Sequence, residues 1–170
     1  MSEVTVESIK GYYESLSDAF EKIEYDGYTG IDAGMSYRKL LRLEIAEYMM
    51  YLAASDGVLT SSELRMFNTI TSCDYDLDGL IDYIDQYNIY STRFESTVPI
   101  SMEIAVREQL NGIPGIDYTY PELVFSLFEY VGRKMMEIDG EVTTSERRDY
   151  RIYLNMLDSY LNDNGFTCDY

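Results

Sequence analysis

Apolar residues recur three or four positions apart through most of the chain. Val6, Ile9, Tyr13, Leu16, Phe20 and Ile23 set the first stripe and predict an amphipathic helix from about Val4 to Tyr25. Asp26 to Ser36 is rich in Gly and Asp and reads as a loop. Leu41, Ile45, Tyr48 and Leu52, widened by Leu40 and Met49, predict a second helix ending near Ser55. Leu64, Phe67 and Ile70 or Thr71 mark a third. Leu80, Ile81, Ile84 and Tyr87 suggest a short one, and Ile100 to Leu110 another, after the boundary at Pro99. Thr119-Tyr120-Pro121-Glu122 reads as a helix start with proline in the first turn. The stripe beyond it runs Leu123 or Val124, Leu127, Val131, Met135, Ile138. Tyr150, Leu154, Leu157 and Leu161 form the last. No segment alternates with period two, so the fold class is all-α, a compact bundle of about seven helices. We expect one domain overall, with residues 1–36 as an N-terminal helix and loop packed on a helical core of 37–165.

One stretch occurs twice. Asp56-Gly57-Val58-Leu59-Thr60-Ser61-Ser62-Glu63-Leu64-Arg65 is matched by Asp139-Gly140-Glu141-Val142-Thr143-Thr144-Ser145-Glu146-Arg147-Arg148, 83 positions later, and six of the ten residues are identical. In each copy glycine ends one helix at a position that suits a left-handed residue. The threonine then begins the next helix with Glu three residues on, a capping box in which each side chain satisfies the other's amide. The repeat predicts two helical hairpins related by pseudo-symmetry, the members of each hairpin antiparallel.

The motif Asp-Gly-x-[Val/Leu]-Thr-x-x-Glu, repeated in an acidic all-α chain, resembles the tellurite-resistance TerB family over about Tyr37 to Leu161. The residues before each Asp differ, Ala-Ala-Ser in one copy and Met-Glu-Ile in the other. The resemblance implies a small non-enzymatic helical protein of bacterial stress response. It implies acidic clusters that bind a divalent cation, calcium or magnesium, and work within a larger assembly. Carried over to this chain, the acidic positions are Asp56, Glu63, Asp139 and Glu146.

The residues themselves leave the metal question open. An Asp at a helix C-terminus opposes the macrodipole by about 0.3–1 kcal/mol, and both copies carry one, so a compensating cation fits. Asp56, Gly57, Leu59, Thr60 and Glu63 also fall at positions 5, 6, 8, 9 and 12 of an EF-hand loop. Positions 1 and 3, however, are Leu52 and Ala54, which bind no metal. A structural reading needs no ion: Glu63 and Glu146 already serve the caps, the Asp side chains can accept from turn amides, and Arg65 and Arg148 can pair with carboxylates nearby. A second stretch, Asp74 to Asp85, places Asp74, Asp76, Asp78, Asp82 and Asp85 at positions 1, 3, 5, 9 and 12 with Gly79 at position 6, a full calcium-loop pattern with the shorter Asp at position 12. Its alternative is an Asp-capped short helix.

Charge and composition narrow the class. With 31 acidic against 13 basic residues, the formal charge is −18. That disfavours nucleic acid and anionic membrane surfaces and favours cations or a basic protein surface. Histidine is absent, which removes the commonest general base and most zinc ligand sets. Cys73 and Cys168 have no metal-type spacing and read as reduced thiols of a cytoplasmic protein. The start of the chain lacks an apolar signal segment, and no apolar run approaches ~20 residues, so direct membrane insertion is not expected. The functional expectations are three: first an acidic cation-binding protein, and second a protein-interaction adaptor that binds no specific ion. A calcium-binding protein using the Asp74 to Asp85 loop is the third.

Overall fold

The computed structural model describes residues 3–27, 34–53, 59–86, 98–110, 119–138, 140 and 142–167, apart from the side chains of Ile84 and Asp85. They form seven α-helices and, among the described residues, no strand: α1 (Val6–Tyr25), α2 (Tyr37–Ala53), α3 (Ser61–Thr71), α4 (Leu77–Gln86), α5 (Ile100–Leu110), α6 (Tyr120–Ile138) and α7 (Thr144–Asp163). None of the described helices is long and apolar enough to cross a membrane.

Local chemistry fixes most of the ends. Thr5 caps α1 through a box closed by Ser8: Thr5 Oγ1 accepts from the Ser8 amide at 3.1 Å, and Ser8 Oγ accepts from the Thr5 amide at 3.0 Å. Ser36 Oγ accepts from the Lys39 amide at the start of α2. α3 stops at Ser72, the one described non-glycine residue with positive φ (55°). α7 closes with a Schellman arrangement. Gly165 takes φ +84°, and the Phe166 amide donates to the Leu161 carbonyl at 2.9 Å. Pro121 lies in the first turn of α6, where its missing N–H costs nothing. There the Tyr120 amide donates to Gln109 Oε1 at 2.9 Å, and the Thr119 hydroxyl turns to the Glu122 carboxylate.

α2 is the centre of the molecule and packs against all six other helices. The expected stripe of Leu40, Leu41, Ile45, Tyr48, Met49 and Leu52 is buried, but so are Leu43, Glu44, Ala46 and Glu47 on the remaining faces. α6 runs alongside α2 in the same direction. Near their starts, Phe20 of α1 stacks on Tyr37 (3.8 Å between ring centroids) and contacts Tyr120 (4.6 Å). Further along, Tyr48 meets Phe128 at 5.4 Å and Tyr153 of α7 at 4.4 Å. α1 runs antiparallel to α6, with Tyr12 against Tyr130 at 5.2 Å, and adds Ile9, Tyr13, Leu16, Phe20 and Ile23 to the same core.

The pseudo-symmetry is local rather than global. α7 packs along α6, whereas α3 leans mainly on α1 and only lightly on α2. The inner stripe of α7 is also shifted. Tyr153, Leu157 and Leu161 are fully buried, while Tyr150 and Leu154 are half-buried. Tyr153 takes the inward place because it fills the space between Tyr48 and Phe128.

Candidate functional site

The two capping boxes are nearly superposable in their internal geometry. Thr60 (φ −79°, ψ 163°) and Thr143 (φ −75°, ψ 158°) take the same extended conformation. The Glu63 amide donates to Thr60 Oγ1 at 3.2 Å, and the Thr60 amide to Glu63 Oε2 at 2.6 Å. In the second copy the same two bonds measure 3.1 and 2.7 Å. Both glutamates are buried, with 4% and 7% of their surface exposed. One carboxylate oxygen of each is therefore engaged by the amide that a capping role requires, beside the positive end of its helix. Because α2 and α6 run in parallel, and α3 and α7 return beside them, Glu63 and Glu146 stand at the same end of the bundle. Asp56 and Asp139 lie outside the described residues. Of the two expected arginine partners, Arg148 donates from Nε to Asp149 Oδ1 at 2.9 Å, and Arg65 is exposed.

The Asp74 to Asp85 stretch is helical from its fourth position, Leu77. Asp76 Oδ1 accepts from the Gly79 amide at 2.7 Å, and the Leu80 amide donates to the Asp76 carbonyl at 3.0 Å, so Asp76 is the N-cap of α4. Asn68 of α3 clasps Tyr75 from both sides: Nδ2 donates to its carbonyl at 2.8 Å, and Oδ1 accepts from its amide at 3.0 Å. A calcium loop wraps its first nine positions around the ion. Here Asp78 and Asp82 stand one helical turn apart on an outer face instead. Asp74, Asp76, Asp78 and Asp82 are all exposed, while Leu80 of the same helix is buried and Tyr83 donates to the Lys39 carbonyl at 3.4 Å. The Asp85 side chain lies outside the described residues. Among the described residues, no group of three or more Cys, Asp or Glu side chains comes together as a metal cluster would require.

The interior holds polar groups that the sequence reading did not single out. Glu44, only 5% exposed, points both carboxylate oxygens at the Ser101 amide (3.3 and 3.2 Å) and so caps α5 from the central helix. Tyr37 Oη donates to the carbonyl of the same Ser101 at 3.4 Å. Glu108, fully buried, takes Nε and Nη2 of Arg107 at 3.0 Å each. Tyr48 and Tyr153 are stacked in the core, and burial pushes both phenols well above their ordinary pKa, with neighbouring tyrosines and glutamates adding to the effect. Tyr37 is raised in the same way, by burial first and then by Glu44. Such phenols stay protonated and are not activated as nucleophiles or bases. The only available signal for Glu44 was its place inside an apolar run, four residues before the buried Tyr48.

Cys73 accepts a hydrogen bond from Arg42 Nη1 at 3.1 Å, with the guanidinium 5.8 Å from the centre of the Tyr83 ring. Cys168 lies outside the described residues. No family model, curated protein or solved structure matches this chain.

Proposed function

We propose that the protein is a TerB-like, non-enzymatic, acidic interaction protein that presents a carboxylate-rich helical surface to a basic protein partner, as part of a stress-response assembly. The observation that carries this reading is the outward face of the α3–α4 junction and α4. Asp74, Asp76, Asp78 and Asp82 are exposed there within nine residues of a chain whose net charge is −18. Such a field steers and selects a positively charged surface. Titration of a fluorescent lysine-rich peptide tests it. The triple variant Asp74→Asn, Asp78→Asn, Asp82→Asn, which leaves the Asp76 cap in place, should weaken binding by roughly 3- to 150-fold, from about 0.2–1 kcal/mol per exposed pair. Neutralising the exposed Glu3, Glu7 and Glu21 instead should change it little. Equal losses in the two variants would reduce the interaction to bulk charge and remove the patch as its origin.

A second reading, a divalent cation held at the hairpin ends by Asp56, Glu63, Asp139 and Glu146, is favoured by one specific observation: the two capping-box glutamates share one end of the bundle. Melting in millimolar calcium or magnesium, against sodium chloride of equal ionic strength, separates it from the first. A bound ion present at about 100 times its Kd adds about 2.7 kcal/mol. Glu146→Gln, which keeps a capping acceptor but loses the charge, should remove most of that gain. If the divalent ions do no more than the salt control, the cation reading fails and the interaction reading stands alone.

A further inference from the structure

We draw no further inference here: the strongest candidate, the Arg42–Cys73–Tyr83 cluster between α2, the end of α3 and α4, rests on a lone cysteine, and no second feature beside it points to a ligand.

Discussion

At Gly132 the helix surface has been cut back to admit two tyrosines. A β-carbon there would stand 2.3 Å from Tyr48 Oη and 2.7–2.8 Å from the edge of the Tyr150 ring. Neither neighbour can retreat easily: Tyr48 is fully buried, and Tyr150 donates to the Glu129 carbonyl at 3.4 Å. Gly11, in the second turn of α1, has nothing within 4 Å of the same position. The two glycines should therefore answer an alanine substitution with opposite signs. Gly11→Ala should stabilise by about 0.5–1 kcal/mol through helix propensity. Gly132→Ala should destabilise by about 1–3 kcal/mol, because overpacking outweighs propensity. Urea denaturation measures both, and a stabilised Gly132→Ala would mean that the two tyrosines have room to move. Sequence alone gives no sign of this difference. Both positions read as weak points in a helix, and only the neighbours brought in by α2 and α7 distinguish them.

Among the elements, the ends were more legible than the faces. A Thr-x-x-Glu box is written within four residues, and both copies fold as local chemistry requires. Thr60→Ala and Thr143→Ala should each cost about 1 kcal/mol by chemical denaturation, and by similar amounts, given the matched bond lengths. A loss at one site and none at the other would show that the matched turns contribute unequally. The box at Thr5 was less visible, since Ser8 stands where Glu or Gln usually does. The face of α2 was misleading for a physical reason. Glu44 and Glu47 fall outside the stripe of Leu41, Ile45, Tyr48 and Leu52, yet both are buried, and Glu44 is kept inside by the α5 amide it caps. Short-range pattern cannot report a partner 57 residues away. The acidic stretch at 74–85 fits two local templates, loop and capped helix. Asn68 clasping Tyr75 and the Asp76 cap accompany the helix.

For the molecule as a whole, the number of helices and the class of fold followed from periodicity, which averages over many residues and survives local exceptions. Of the candidate site, the capping role of Glu63 and Glu146 was legible in the Thr-x-x-Glu spacing, whereas their burial depends on helices far away in sequence. Global stability should carry the mark of the core tyrosines. Tyr37, Tyr48 and Tyr153 are fully buried, with phenol pKa values raised well above the ordinary range. In the unfolded chain they ionise near pH ~10. The stability they confer is thus complete below that pH and is lost as pH climbs toward the raised folded values, at about 1.4 kcal/mol per pH unit for each. Urea midpoints taken from about pH 8 to pH 11 should show this decline, and Tyr153→Phe should make the slope shallower. An unchanged slope would mean that this phenol ionises within the native state.

A duplicated motif suggests two interchangeable modules, each able to stand for the other. The position of α2 rules that out. Its Tyr48 ring completes the interior against Phe128 and Tyr153, residues belonging to the later hairpin. Excising either hairpin would strip the other of these ring neighbours, so the repeat survives here as a matched pair of corners.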